Sequence, residues 1–374
     1  MPLWFASLDL RKAFDRIEWS ELFRSLTELA VPPAYQHLLA MMYDKQVGTL
    51  GGPDSFDIRR GVRQGDVLSP LLFNSALEIV MRRWNARLRN HGIKFNTSTE
   101  ASRLTSVRFA DDLIIYANSL TELTEMIDIL HEELHVAGLE LNAKKSRLFK
   151  LDESVQDCGT IIVDVADGFM EVVGAGDTHK YLGNAFPGAL RNRGGAILTN
   201  RLRCAWAKFH MFRHSLLDRH VDIKLRLKLF ESVVSPSLLY GLTTAPLTQV
   251  DYGTVDAAQR KMLRSVVGHV PCRNEDWADM HRRMNVKMAA ALARQGVPTS
   301  SAVLSSRKQK MQTKLANGTC NPLVKRVYNW QPKNCCEQQA DLRTRAWQGP
   351  SQNDMGESAW DRFLDAEAVT YFSL

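Results

Sequence analysis

Two periodicities alternate along this chain, and together they predict a mixed α and β domain followed by a helical one. Phe5 to Leu10 is an apolar run of strand length that carries Asp9 near its end. A helix is expected from about Ser20 to Leu29, closed before Pro32-Pro33, and a second from Ala34 to Tyr43. Val47–Leu50 and Ser55–Arg59 read as strands joined through Gly51-Gly52-Pro53-Asp54. Ser69 reads as a cap and Pro70 as the first turn of a helix running to about Arg89. That helix is apolar on most sides early, which predicts burial, and its end carries Arg82, Arg83, Arg87 and Arg89, which suit the negative end of a helix dipole. Leu104–Ala110 and Leu113–Ala117 are strand-like runs on either side of an acid pair. Ser119-x-x-Glu122 reads as a capping box ahead of Leu123, Ile127, Leu130 and Leu134 at helical spacing, and Gly138 ends that helix. Farther on, Leu198, Leu202, Trp206, Phe209 and Leu216 form one apolar helical face, with Arg201 and Lys208 placed away from it. Beyond about residue 295 no motif stands out, and Pro332–Gly356, polar and poor in aliphatics, reads as a poorly ordered tail.

The acid pair, Asp111-Asp112 after Phe109-Ala110, is the position that local structure explains least. Two unit charges about 4 Å apart repel by roughly 4 kcal/mol at an effective dielectric near 20. Placing both at the tip of an apolar hairpin therefore calls for a compensating charge, and a divalent cation is one. The plain alternative is an ordinary turn, where aspartate is common. Asp9 by itself has the same two readings, a strand-end turn residue or a ligand.

Three further stretches narrow the choice. Asp9-Leu10-Arg11-Lys12-Ala13-Phe14-Asp15, then Gly61-Val62-Arg63-Gln64-Gly65-Asp66-Val67-Leu68-Ser69-Pro70, then Phe109-Ala110-Asp111-Asp112 occur in that order. The ordered set resembles the palm motifs A, B and C of reverse transcriptases, and in particular those of non-LTR (LINE-type) retrotransposons. Gly138-Leu139-Glu140-Leu141-Asn142-Ala143-Lys144-Lys145-Ser146 resembles motif D, Tyr181-Leu182-Gly183 the primer-grip motif E, and Leu239-Tyr240-Gly241 a short signature that follows the polymerase core. The resemblance covers roughly residues 1–270. It implies an α+β polymerase palm, an antiparallel sheet with an acid-tipped hairpin packed by helices, over 1–190 with its fingers largely missing. A mostly helical thumb over 191–295 follows, then a segment over 296–374 of unassigned role.

The same resemblance implies an RNA-directed DNA polymerase working by two-metal nucleotidyl transfer from a dNTP to a primer 3′-hydroxyl. Two Mg²⁺ ions, or Mn²⁺ in their place, would be held by Asp9, Asp111 and Asp112 with the Leu10 carbonyl, hard oxygen donors of the kind such ions prefer. Phe14 falls at the sugar-selecting gate, and the Lys12 and Ala13 amides at the triphosphate. Arg63, Gln64 and Gly65 fall beside the incoming nucleotide. Lys145 matches the motif D lysine that protonates pyrophosphate, although the adjacent Lys144 leaves the register open and a solvated lysine pair is the simpler reading. Tyr181, Leu182 and Gly183 would steer the primer end. Asp15 matches the motif without a metal role and is expected to organise its turn. The implied partners are an RNA template, a DNA primer or target DNA, and dNTPs.

Composition supports a polyanionic partner without specifying it. The chain has 374 residues, a net charge of +7 and a basic balance that concentrates in one stretch, where Arg191 to Phe230 holds ten Lys or Arg against Asp218 and Asp222. The six cysteines show no Cys-x-x-Cys spacing, which predicts reduced thiols in an intracellular protein. No apolar run reaches membrane-spanning length, so no membrane partner is expected. Chemistry on chromosomal DNA would put the chain in the nucleus. It begins inside motif A, so it is expected to be an N-terminally truncated polymerase, and the competing reading is a catalytically inactive nucleic-acid-binding relic. A group II intron maturase fits less well, because its usual Gln-Gly-Gly is here Gln64-Gly65-Asp66.

Overall fold

The computed structural model describes residues 3–317, apart from 50, 53, 95–102, 152–161, 167, 175, 189–192, 269–271 and 273–274, together with residue 324. The polar stretch 332–356 and four of the cysteines, Cys158, Cys320, Cys335 and Cys336, lie outside the described residues; Cys204 and Cys272 are free thiols. The chain divides into two compact units, Met1–Leu182 with Pro187–Leu190 and Gly183–Phe186 with Arg191–Leu374.

The first unit is α+β. In chain order it contains β1 (Leu3–Leu8), α1 (Ala13–Arg16), α2 (Trp19–Glu28), α3 (Pro33–Tyr43), β2 (Val47–Thr49), β3 (Ser55–Asp57), α4 (Ser69–Arg87), β4 (Ile93–Lys94), β5 (Arg103–Leu104), β6 (Ser106–Phe109) and β7 (Asp112–Ala117). Then come α5 (Leu120–Val136), β8 (Arg147–Leu151), β9 (Ile162–Val165), β10 (Gly168–Val172) and β11 (Thr178–Tyr181). The main sheet has the order β6-β7-β1-β8-β10-β9. It is antiparallel from β6 to β8, as a palm requires, and mixed at one place, where β10 runs parallel to β8 over Glu171↔Arg147 and Val172↔Leu148. The cause is local: β9 and β10 form their own antiparallel hairpin, so only one of the two can meet β8 antiparallel.

Pleating sorts β1 into two faces. Ala6, Leu8 and, beyond the strand, Leu10 join the core built with Phe73, Leu77 and Trp84 of α4 and Leu123, Ile127, Leu130 and Leu134 of α5, a periodic set that is wholly buried. The opposite face carries Phe5, stacked on Phe149 at 4.3 Å, and Ser7. Apolar residues on both faces make β1 a central strand. α5 begins at Ser119, whose Oγ accepts from the Glu122 amide at 3.1 Å. The Glu122 carboxylate does not return to Ser119 as a full capping box would; it accepts from the Asn118 and Gly92 amides instead. α4 also departs from expectation at its start. Leu68 is the cap residue, Asp66 accepts its amide at 3.1 Å, and Ser69 lies buried one position inside the helix. The carboxylate of Asp66 makes a charge-assisted bond to the turn just before the helix, which starts one residue earlier than Ser69 as a cap would require. The arginines at the end of α4 are tied to carboxylates, Arg83 to Glu21 and Glu133 and Arg87 to Glu132 and Glu133.

Apart from β12 (Asn184–Pro187), the described part of the second unit is helical: α6 (Arg193–Met211), α7 (Arg213–Leu217), α8 (Ile223–Leu239), α9 (Gln249–Val267), α10 (Trp277–Gln295) and α11 (Ser300–Ala316). Its core joins Leu198 and Phe209 of α6 to Phe230, Val234 and Leu238 of α8, Val255, Met262 and Leu263 of α9, and Leu304 of α11. α11 is pinned at its start, where the Ser301 amide and hydroxyl both donate to Asp256 and the Ser300 amide donates to Gln259. Two arginines of the basic stretch are interior, against expectation for Arg201. Arg226 donates to the Val266 carbonyl at the end of α9, satisfying an orphan acceptor there, and Arg201 is buried as well. Exposed Arg203, Arg213, Arg219, Lys224 and Lys228 carry the surface charge. Among the described residues no helix is long and apolar enough to cross a membrane.

Lys308 of α11 gives this unit a measurable pH signature. It is buried, its Nζ donating to the Ala245 carbonyl at 3.3 Å and lying 5.2 Å from the Tyr252 ring centre, and burial pushes its pKa down to about 8 from 10.5. Between those values the unfolded chain binds the extra proton, so stability rises with pH through that window. Below pH 8 the whole penalty, on the order of 3 kcal/mol, remains. Lys308→Met is expected to raise the melting temperature at pH 7 and to flatten its rise between pH 8 and 10. Parallel melting profiles for the parent and the variant would show that folding leaves the Lys308 pKa at its ordinary value.

Candidate active site

The register of β1 against β7 sets the geometry. Ser7 pairs with Ile114 and Leu8 with Leu113, so continuing the ladder by one residue sets Asp9 opposite Asp112, both on the face away from α4 and α5. On its other side Asp112 pairs with Phe109, leaving Ala110 and Asp111 as a two-residue turn. Ala110 holds φ at 51°, a left-handed conformation that costs a residue with a Cβ about 1 kcal/mol or more. A turn that keeps this strain fixes the path between the two acids.

Motif D docks on motif A through the backbone. The Asn142 amide donates to the Asp9 carbonyl and the Arg11 amide to the Glu140 carbonyl, each at 2.8 Å, around a bridge between Leu10 and Leu141. The two bonds leave the Leu10 carbonyl out. Side chains then converge on Asp9. Its carboxylate accepts from Asn142 Nδ2 at 3.1 Å, Lys145 Nζ lies 3.8 Å from it, and Ser146 Oγ accepts its amide at 3.1 Å. Lys145, not Lys144, is therefore the lysine that faces the acid. The pair is largely solvated and contributes little to stability.

Motif B docks on the other side of the same turn. The Val62 amide donates to the Phe14 carbonyl at 2.6 Å, the Gly61 amide to the Ile17 carbonyl at 2.8 Å, and Trp19 Nε1 to the Gly61 carbonyl at 2.8 Å. Gly61 has φ at 87°, and a Cβ there would stand 2.8 Å from the Asp15 carbonyl oxygen, so only glycine fits. Phe14 stacks on buried Phe73 at 4.8 Å and keeps part of its ring open. Gln64 donates to the Asp15 carboxylate at 3.2 Å, which gives Asp15 a turn-organising contact, and Arg63 donates to Gln46. Gly65, at φ 93°, faces open space. Lys12, exposed and left-handed at φ 48°, caps α1 ahead of buried Ala13.

A cleft of about 290 Å³ gathers part of this set. Ser7, Leu8, Asp9, Asp112, Lys144, Lys145, Arg147, His179, Lys180 and Tyr181 line it. Of the residues singled out in the sequence, Asp9, Asp112, Lys145 and Tyr181 share it. Asp111, in the turn before Asp112, does not line it, and neither do Lys12, Ala13, Phe14, Arg63, Gln64 and Gly65, which belong to the turns of motifs A and B. Leu182 and Gly183, with φ at 44° and 74°, make the tight turn after Tyr181. His179 and Arg147 are functional candidates that motif reading passed over. His179 Nε2 is 3.2 Å from Ser7 Oγ, and burial, with help from Arg147, pushes its pKa down, so the imidazole is neutral at pH 7. The available signal was spacing: His179 stands two residues before Tyr181 on one strand, hence on the same face.

The donors suit a hard divalent ion in chemistry, all carboxylate oxygen with a spare backbone carbonyl. Among the described residues no three His, Cys, Asp or Glu side chains are already drawn together as a ligand set. Asp9 turns instead to Asn142 and Lys145, and the penalty of burial falls on Asp112. Its carboxyl is pushed up to about 6, first by burial and then by Asp111 and Asp9. The folded state thus holds a proton between pH 3.8 and 6 that the unfolded chain has lost, and stability falls as pH rises through that window. Above pH 6 the ionised side chain costs about 2 kcal/mol once its partial exposure is allowed for. Asp112→Asn is therefore expected to melt higher than the parent at pH 7.5 in chelator, with the difference gone near pH 4. A variant no more stable at pH 7.5 would mean that neither burial nor the neighbouring acids penalise the ionised Asp112.

Comparison with known proteins agrees with this geometry. Residues 2–186 match the family described as reverse transcriptase (RNA-dependent DNA polymerase). The chain is 28% identical over 273 residues to the Pol polyprotein of the type-1 retrotransposable element R2 of Popillia japonica, covering 70% of this chain and 35% of that protein. It is 31% identical over 147 residues to the Pol polyprotein of the type-2 element R2DM of Drosophila melanogaster, covering 38% of this chain and 13% of that one. The chain thus spans about a third or less of the length of these relatives. Among solved structures, apo telomerase from Candida tropicalis aligns with 88% of this chain and 53% of its own at 13% identity and a TM-score of 0.38. Such proteins generally use divalent metal ions. With a palm sheet that sets Asp9 against Asp112 and a matched domain over residues 2–186, this chain belongs to the reverse transcriptases of non-LTR retrotransposons.

Proposed function

We propose that this chain performs the nucleotidyl transfer of an RNA-directed DNA polymerase, adding dNTPs to a DNA primer on an RNA template. The observation that carries the reading is the placement of Asp9 opposite Asp112 in a cleft walled on its other sides by Lys144, Lys145, Arg147 and Lys180. Carboxylates alone would repel a triphosphate, and lysines alone would bind it without chemistry. Side by side, they fit a phosphate chain that arrives with divalent cations.

Asp9, Asp111 and Asp112, with the Leu10 carbonyl, would hold Mg²⁺ ions, or Mn²⁺ in their place. Bound there, the cations supply charge neutralisation at phosphorus and ease loss of the primer hydroxyl's proton. The reaction joins the primer 3′-oxygen to the α-phosphorus, breaks the bond from that phosphorus to the bridging oxygen, and releases pyrophosphate. Lys145 would give the leaving pyrophosphate a proton from Nζ, and its link to Asp9 keeps the ammonium at the reacting end of the cleft. Phe14, backed by Phe73, would lie under the sugar and exclude a 2′-hydroxyl, with the Lys12 and Ala13 amides on phosphate oxygens and Arg63, Gln64 and Gly65 bordering the base. Tyr181, Leu182 and Gly183 would hold the primer end. Exposed Arg203, Arg213, Arg219, Lys224 and Lys228 suit the template–primer backbone. Chemistry on chromosomal DNA would put the chain in the nucleus, which cell fractionation would test.

Extension of a DNA primer on an RNA template, with dNTPs and Mg²⁺, tests the reading directly. The chain is expected to extend the primer, and Asp111→Asn with Asp112→Asn to lower the rate by at least about a thousandfold, the scale of losing essential charge stabilisation. Salt-sensitive duplex binding in both proteins with extension in neither would replace the polymerase by a non-catalytic nucleic-acid-binding protein.

A further inference from the structure

The second unit opens with residues Gly183–Phe186, and α6 holds them with two guanidinium groups. Arg201 donates through an N–H to the Gly183 carbonyl, and its central carbon lies 5.2 Å over the Tyr240 ring. Arg193, about 12 Å earlier along the helix by its rise per residue, lies 4.7 Å over the Phe186 ring. Tyr240 caps the end of α8 and belongs to the Leu239-Tyr240-Gly241 signature, of which Leu239 is buried in the helical core while Tyr240 and Gly241 are not. Gly241, the residue after it, leaves no room for a side chain: at φ 70°, a Cβ there would stand 2.3 Å from Asn184 Nδ2. Gly183 lies against the ring itself, where a Cβ would be in van der Waals contact at 3.4 Å from Tyr240 Cε1.

Arg201 is an expensive way to hold a turn. It is only 7% exposed, its Nε lacks a hydrogen-bond partner, and among the described residues no carboxylate pairs with it. A buried cation compensated by one carbonyl and one ring face loses more hydration than an apolar residue of the same length would. What it provides in return is directional: a charge-assisted bond that fixes the orientation of one peptide plane. That plane follows Gly183, two residues after Tyr181 and directly after a turn whose two residues both hold positive φ.

We propose that Arg201 and Tyr240 are positioning residues for the primer terminus. They set the conformation of the Leu182–Gly183 turn and thereby the presentation of Tyr181, and the Leu-Tyr-Gly signature supplies the ring and, at Gly241, the close approach to Asn184 that this clamp needs. The proposal rests on the reading of Tyr181–Gly183 as the primer grip.

A DNA primer with 2-aminopurine at its 3′ end, annealed to an RNA template, separates terminus placement from turnover. The parent is expected to bind the duplex and change the fluorescence of the terminal base. Arg201→Met and Tyr240→Leu are expected to keep duplex affinity within about twofold, lose most of that fluorescence change, and raise the KM for primer about tenfold while leaving the KM for dNTP unchanged. Arg201→Lys, which can still donate to the Gly183 carbonyl, and Tyr240→Phe, which keeps the ring, are expected to restore the signal. Melting temperatures of all four variants guard against simple unfolding. The inference is overturned if Arg201→Met melts like the parent and keeps the terminal signal, if the lysine and phenylalanine variants fail as badly as the truncations, or if the parent binds duplex with no terminal response. A parent that shows the terminal response but extends nothing defeats the polymerase reading alone, and loss of that response in Arg201→Met then still supports the clamp.

Discussion

The burial of one carboxylate, Asp112, beside two others is the constraint around which the first unit is arranged. A sheet edge can expose acids cheaply, because water screens them; here Asp9 and Asp112 instead end two central, two-sided strands whose neighbours are Leu8 and Leu113, both buried. The strands cannot splay to relieve the charges, since β1 is bonded on both edges, to β7 and to β8. Relief comes from chemistry instead of movement. Asp9 borrows an amide and an ammonium from the loop before β8, and Asp112 holds its proton more tightly than a free aspartate does. The strained Ala110 turn belongs to the same account: relaxing it would rotate Asp111 and Asp112 relative to each other.

The second unit answers a different demand. It is built from helices whose apolar faces meet in one core, and its charges divide into two populations that sequence alone does not separate. Arg203, Arg213, Arg219, Lys224 and Lys228 reach solvent, while Arg201, Arg226 and Lys308 face inward onto carbonyls and aromatic rings. A count of basic residues therefore overstates the field available to a polyanion.

Much of the fold was legible because long periodic segments dominate it. Leu123, Ile127, Leu130 and Leu134 announced α5, the proline pair separated α2 from α3, and the acid-tipped hairpin followed from two apolar runs around Asp111-Asp112. What escaped depended on partners distant in the chain. Arg201 sits on a helix whose polar positions look solvated until Gly183 and Tyr240 are brought to it. Ser69 had the right chemistry for a cap but lies buried as the first residue of α4, a one-residue shift that a single-residue preference does not weigh. The parallel contact of β8 with β10 involves two residue pairs and leaves no pattern of its own. At the site, the acids and Lys145 could be named from motifs, yet His179 and Asn142 could not, because each matters through contacts to residues far away in the chain, Ser7 and Asp9.

Motifs B and D are fastened to motif A chiefly by main-chain groups: Val62 to Phe14, Gly61 to Ile17, Asn142 to Asp9, Arg11 to Glu140. An amide or a carbonyl is present whatever side chain it carries. The frame of the site is therefore indifferent to most substitutions at these positions, with Gly61 the exception because it alone has no room for a Cβ. Drift in the flanking letters can accumulate without shifting the acids, so descendants of this chain could lose textual likeness to it long before they lose its geometry.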